Sequence, residues 1–213
     1  MSDREVILIL DFGSQYTQLI ARRIREARVF SEILPYHTAW PEIEKRHPKG
    51  VILSGGPRSV FEADAPHPDR RIYDLPVPLL GICYGMQLLA YHFGGRVQPA
   101  TEREYGKAQL EAVSEKGLFR SLPSSMQVWM SHGDRIEELP PGFHLAASTP
   151  NALGAMEDTD RDRYGLQFHP EVVHTPQGDR ILENFVEICG CRRKWTPASF
   201  VEETVRQVRL QVG

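Results

Sequence analysis

Pro78-Leu-Leu-Gly-Ile-Cys-Tyr-Gly-Met-Gln-Leu-Leu-Ala-Tyr-His-Phe93 is the stretch on which the fold turns. Its first five residues form a short apolar run, as in a strand covered on both faces, and Gly85 to Phe93 reads as a helix. The two meet at Gly81-Ile-Cys-Tyr-Gly85, the pattern G-x-nucleophile-x-G at a strand-to-helix turn. Such a turn holds its central residue in strained backbone, and side chains two positions either side would collide. From Leu75 to Gly95 there is no Asp, Glu, Lys or Arg, which raises the question of a membrane span. Two prolines, four glycines, Gln87 and His92 interrupt the stretch, so none is expected.

Outward from that unit, Val6 to Leu10 is a second continuous apolar run, followed by a turn at Asp11-Phe-Gly-Ser14. Tyr16, Leu19, Ile20, Ile24 and Ala27 then recur at helical spacing. Val29 to Leu34 predicts a strand, Pro41 to His47 a short helix, and Gly50 to Leu53 a strand ending in Ser54-Gly-Gly-Pro57. Strands alternating with helices imply right-handed crossovers and a parallel sheet. From Tyr105 to Phe168 the texture changes to strands and turns, with Glu157 to Arg163 expected as a solvated loop. Ile181, Leu182, Phe185, Val186 and Ile188 predict a closing helix, and Phe200 to Leu210 a further amphipathic segment.

The chain of 213 residues fits one large domain with a short tail. Its net charge of −3 supplies no general attraction to nucleic acid or to anionic membranes, so neither is an expected partner. The three cysteines, Cys83, Cys189 and Cys191, form an odd set with no secretory segment before them. Reduced thiols and a cytoplasmic setting are therefore expected. Cys189-Gly-Cys191 is neither a redox pair nor half of a zinc site, which leaves ordinary packed or surface thiols.

Cys83 differs because a helix N-terminus immediately follows it, which favours the reactive thiolate. A thiolate nucleophile needs a base, and His169-Pro-Glu171 follows the strand-like Tyr164 to Phe168. In extended backbone, positions 169 and 171 share a side, so Glu171 can orient the imidazole of His169 toward sulfur. His132, in Ser131-His-Gly-Asp134, and His174 are the rivals for the base. Acyl transfer also needs oxyanion donors. The N–H after the nucleophile, on Tyr84, is one, and the glycine-rich loop at Gly55-Gly56 is placed to give a second. That loop lacks the lysine of a phosphate-binding loop, and no second pair of ligands sits at metal spacing.

These features together resemble class I (triad) glutamine amidotransferases. Asp11-Phe-Gly-Ser-Gln-Tyr16, Ser54 to Val60, Gly81 to Gln87, Val128-Trp-Met-Ser-His-Gly-Asp134, Gly165 to Glu171 and Leu182 to Gly190 carry the resemblance, which runs from about residue 4 to 195. The first and fourth of these stretches are similar in particular to the GMP synthase branch of that family. The resemblance implies an α/β, flavodoxin-like three-layer domain with a central mostly parallel sheet and antiparallel strands in the C-terminal half. It implies residues 1–195 as the amidotransferase domain and 196–213 as a connector toward an ATP pyrophosphatase domain not present here.

It further implies that Cys83, with His169 and Glu171, hydrolyses L-glutamine through a thioester, with backbone of Gly56 and Tyr84 on the oxyanion. Gly55, Gln87, Ser131, His132, Gly133 and Asp134 would hold the substrate. The ammonia would serve amination of XMP to GMP by the ATP pyrophosphatase domain or subunit. That partner alone would need ATP and magnesium; the glutaminase reaction itself would use neither cofactor nor metal. A glutaminase subunit serving another amidotransferase, or a cysteine hydrolase of another class on the same scaffold, remains the alternative.

Overall fold

The computed structural model describes residues 5–212, with the side chains of all but 100–103, 202–204, 206, 207 and 210–212. Among the described residues, nine strands form one sheet in the order β2-β1-β3-β4-β9-β8-β7-β5-β6. The parallel part is β1 (Val6–Asp11), β2 (Phe30–Pro35), β3 (Gly50–Leu53), β4 (Leu79–Ile82) and β9 (Arg163–Leu166). The antiparallel extension is β5 (Arg96–Ala112), β6 (Ser125–Glu138), β7 (His144–Ser148) and β8 (Leu153–Asp158). The expected mostly parallel sheet with antiparallel strands in the C-terminal half is the sheet that forms.

The unbroken apolar runs are explained by cover on both faces. Along β1, Ile7 and Ile9 enter one core while Leu8 and Leu10 enter the other. In β3 and β4, Ile52, Leu80 and Ile82 join the first core, and Val51, Leu53 and Leu79 the second. The first core is closed by α1 (Thr17–Glu26), through Ile20 and Ile24, and α4 (Gly178–Ile188), through Ile181, Leu182 and Phe185. The second is closed by α2 (Trp40–Glu44), through Ile43, and α3 (Tyr84–His92), through Met86, Leu88 and Leu89. The result is three layers. A last helix, α5 (Pro197–Val212), stacks Phe200 on Phe30 of β2, with ring centroids 5.5 Å apart. Among the described residues no helix is long and apolar enough to cross a membrane.

Two expectations need correction. The strand-rich half begins at Arg96, because β5 pairs with β6 along most of its length, well before Tyr105. The charged stretch Glu157 to Arg163 is a solvated turn only over residues 159–162. Glu157 and Asp158 end β8, Arg163 opens β9, and all three are buried. The Arg163 guanidinium donates to the carbonyls of Tyr73, Leu75 and Val77, at 3.0, 2.6 and 2.8 Å. It thereby gives partners to a stretch of backbone that lies outside the ladder.

Removing this donor leaves three carbonyls short of a partner. Arg163→Met is expected to cost about 3 kcal/mol, a fall of roughly 6–12 °C in Tm for a domain this size. Thermal unfolding followed by circular dichroism measures it. A fall below about 2 °C would show that water replaces the guanidinium without loss.

Candidate functional site

Cys83 sits directly between β4 and α3 with φ +53° and ψ −105°, a region that a residue with a side chain rarely occupies. The flanking glycines are sterically required. A Cβ on Gly81 would overlap the Gly85 carbonyl, and one on Gly85 would overlap the Leu53 carbonyl. The turn is fixed by Cys83 N–H donating to Leu166 O at 2.7 Å and Gly85 N–H to Ser54 O at 3.2 Å. The second bond ties the glycine-rich loop to the turn. Within that loop, a Cβ on Gly56 would press on the Phe12 carbonyl, and one on Gly55 would lie 3.2 Å from His169 Cε1.

The second arm arrives on β9. Because β4 and β9 are parallel neighbours with Ile82 opposite Leu166, their continuations emerge at the same sheet edge. His169 therefore meets Cys83. Its Nδ1 donates to Glu171 Oε1 at 2.7 Å across a turn at Pro170 and Glu171, not along the extended backbone expected, and this leaves Nε2 for the sulfur of Cys83, which lines the same cleft. Its backbone is clamped on both sides, N–H to Trp129 O at 3.0 Å and carbonyl accepting from Thr175 Oγ1 at 2.7 Å. The Tyr16 ring meets the imidazole edge-on at 5.1 Å.

Both arms open into a cleft of about 660 Å³. Cys83, His169, Gly56, Gln87, Ser131, His132, Gly133 and Asp134 all line it. Glu171, Gly55 and Tyr84 stand behind the wall. The Tyr84 side chain points away, its hydroxyl donating to Pro66 O at 3.0 Å, so only its backbone can serve the site. His132 lines the cleft but its ring is engaged at both nitrogens, Nδ1 with Asp134 O at 2.9 Å and Nε2 with Glu104 at 3.3 Å. His174 stacks on Trp129, 4.6 Å between centroids, and is exposed. Neither rival can be the base. Cys189 is packed in the first core and Cys191 is half-buried, as ordinary thiols. Arg58, from the Ser54 to Val60 stretch, also lines the cleft, as do Glu62 and Tyr105, which no motif announces.

Residues 8–189 match the family profile of class-I glutamine amidotransferases. The chain belongs to that family. Among curated relatives of this amidotransferase, the GMP synthase [glutamine-hydrolyzing] of Brachyspira hyodysenteriae is 52% identical over 209 residues, covering 97% of this chain and 41% of that protein. The enzyme of the same name from Thermus thermophilus is 54% identical, covering 98% and 41%. The chain thus spans about two fifths of the length of these relatives. A GMP synthase subunit from Thermoplasma acidophilum, known as a crystal structure, superposes with a TM-score of 0.78 at 33% identity, covering 96% of this chain and 99% of that one.

The electrostatics of the amidotransferase pair follow from burial. Burial alone would drive the His169 proton off, but the adjacent Glu171 charge and the hydrogen bonds to Cys83 and Glu171 outweigh it, so proton affinity is raised well above the usual histidine range. A group that holds its proton more tightly when folded contributes stability in full below its unfolded value near 6.5, lost as pH rises through the folded value. Glu171→Gln removes the charge and keeps the shape. His169 in that variant is expected to release its proton at lower pH than in the parent, as read by NMR titration of the imidazole C–H signals. An unchanged midpoint would mean that the Glu171 charge is not what holds the proton.

Proposed function

We propose that this chain hydrolyses L-glutamine to glutamate and ammonia at Cys83. The observation that carries the reading is His169, hydrogen-bonded at Nδ1 to buried Glu171 at 2.7 Å and lining one cleft with a cysteine in strained backbone. His169 Nε2 takes the thiol proton as Sγ attacks the side-chain amide carbon. The N–H groups of Gly56 and Tyr84 stabilise the oxyanion of the tetrahedral adduct. His169 then returns the proton to the amide nitrogen, and the C–N bond breaks to release ammonia and leave a glutamyl thioester. Water, deprotonated by His169, hydrolyses the thioester and restores the free thiol. The cycle consumes one water per glutamine and needs neither metal nor cofactor.

The amino-acid head group is held by Gln87, Ser131, Gly133, Asp134 and Gly55, with His132 contributing backbone because its ring is engaged. Asp134 is the carboxylate suited to the substrate ammonium. The ammonia serves amination of XMP to GMP by an ATP pyrophosphatase domain or subunit, where ATP and magnesium are used. This part of the reading is supported by the names of the relatives and by their greater length. Residues 1–195 act as the glutaminase domain and 196–213 as the connector, where Val201, Val205 and Val208 leave an exposed apolar stripe on α5.

Labelling with an electrophilic glutamine analogue, followed by peptide mapping, tests the nucleophile. Modification is expected at Cys83 alone, blocked by excess glutamine and absent in Cys83→Ala. Glutamine hydrolysis that survives in Cys83→Ala would overturn the mechanism. Among the supporting residues, His169→Ala is expected to lose roughly 10²–10⁴-fold in rate. Glu171→Ala is expected to lose less, because it orients the base without moving protons. Equal losses would assign Glu171 a further role.

A further inference from the structure

Gln167 has no part in the mechanism above, yet its side chain is 1% exposed and lies against the nucleophile. It lies two residues before His169, just past the end of β9, with its N–H donating to Gly154 O at 2.9 Å. The last β4–β9 pair is Ile82 with Leu166, so Cys83 and Gln167 are the next residues along the two parallel strands. The Gln167 Nε2 group approaches Cys83 Sγ at 3.8 Å. Its Oε1 lies 3.5 Å from Gln87 Nε2, which also donates to the Asp134 carbonyl at 3.2 Å.

The sulfur thus has two polar neighbours of opposite character, besides His169. The Ser131 carbonyl, 3.5 Å away, can only accept, and so matches the protonated thiol. The Gln167 amide N–H can only donate, and so matches the thiolate. Once the proton has moved to His169, the Ser131 carbonyl becomes a repulsive neighbour and the Gln167 donor an attractive one. The carboxamide cannot turn over freely. Reversal would place its oxygen on the sulfur and its NH₂ on the Gln87 NH₂.

We propose that Gln167 is a positioning residue that stabilises the attacking form of Cys83 through an N–H···S hydrogen bond, held in that orientation by Gln87 and the 131–134 segment. The inference rests on the glutaminase reading of the same site. It links the substrate loop to the sulfur, because Gln87 touches both Asp134 and Gln167.

The test compares Gln167→Glu and Gln167→Met with the parent chain. Glu is isosteric, keeps the acceptor for Gln87 and replaces the donor with an oxygen facing the sulfur. Met keeps the volume without a charge. Alkylation of Cys83 by iodoacetamide at neutral pH is expected to slow by about tenfold in Gln167→Met, the size of a lost hydrogen bond to an ionised group, and by more in Gln167→Glu. The deficit should close at alkaline pH, where the thiolate forms regardless. For glutamine, kcat should fall with KM held within about twofold.

Parent-like alkylation in either folded variant would overturn the inference, as would a rise in KM with kcat intact. Should one variant fail to give a cooperative melt, the other decides. Iodoacetamide reads the sulfur without reference to glutamine. A parent chain alkylated at Cys83 but inert to glutamine would therefore defeat the glutaminase reading and leave the role of Gln167 in sulfur reactivity to be judged separately.

Discussion

The backbone of Cys83 is the constraint around which the other parts are arranged. A residue with a side chain at φ +53° and ψ −105° costs on the order of 1–3 kcal/mol and persists only where its surroundings over-determine it. Here the surroundings are two central strands and a buried helix. β4 is paired on both edges, by β3 and β9, so it cannot relax sideways. α3 is buried from Tyr84 to Ala90, so it cannot tilt away. The glycines at 81 and 85 let strand and helix approach to a distance at which any Cβ would overlap backbone. The bond from Gly85 N–H to Ser54 O then makes the glycine-rich loop part of the same rigid unit. Nucleophile and candidate oxyanion donors are thus set by one turn and do not depend on separately ordered loops.

The arm that carries His169 is fixed by different means. It lies just past the end of β9, where parallel pairing has stopped, and cross-links replace the ladder. Trp129 of β6 accepts the His169 N–H and donates its own N–H to Thr175 Oγ1, which in turn donates to the His169 carbonyl. Arg23 of α1 reaches the Glu171 carbonyl at 3.3 Å and pairs with Asp179 of α4. Three elements from both ends of the chain therefore hold one short segment. This explains how a histidine and glutamate, buried at a cost in desolvation, keep a 2.7 Å contact. The pair is useful chemically because it is dry: the Glu171 charge acts on the imidazole with little screening.

Much of this was legible from local pattern. The apolar runs at Val6 to Leu10, Gly50 to Leu53 and Pro78 to Ile82 belong to strands covered on both faces, whereas His169 and Glu171 meet across a turn at 170–171 and not through the period of a strand. What escaped depends on contacts distant in sequence. Glu157, Asp158 and Arg163 have the composition of a surface turn but are buried, Arg163 because the carbonyls of Tyr73, Leu75 and Val77 need a donor, Glu157 accepting from Ser114 Oγ and Asp158 from the N–H groups of Asp160 and Arg161. The reach of β5 back to Arg96 is set by its partner β6, since Arg96-Val-Gln-Pro99 has little strand signal of its own. Gln167 was within reach. It directly follows β9 as Cys83 follows the adjacent β4, but a glutamine in an apolar stretch carries no reactive group to draw notice.

The choice between His132 and His169 shows why proximity is a poor guide to a catalytic base. Both rings are buried, both line the cleft and each lies near a carboxylate. They differ in their hydrogen-bond partners. His132 places Nδ1 against the Asp134 carbonyl, which can only accept, so that nitrogen must carry the proton. Its Nε2 faces Glu104, a carboxylate that also accepts from Thr149 and Asn151. Both nitrogens of that ring face oxygen acceptors, one in the 131–134 segment and one on β5, so neither is turned to the sulfur. His169 commits Nδ1 to Glu171, which leaves Nε2 for proton exchange with Cys83 in the cleft that both line. A ring that is fully satisfied builds the site; a ring with one nitrogen left to the sulfur can move a proton within it.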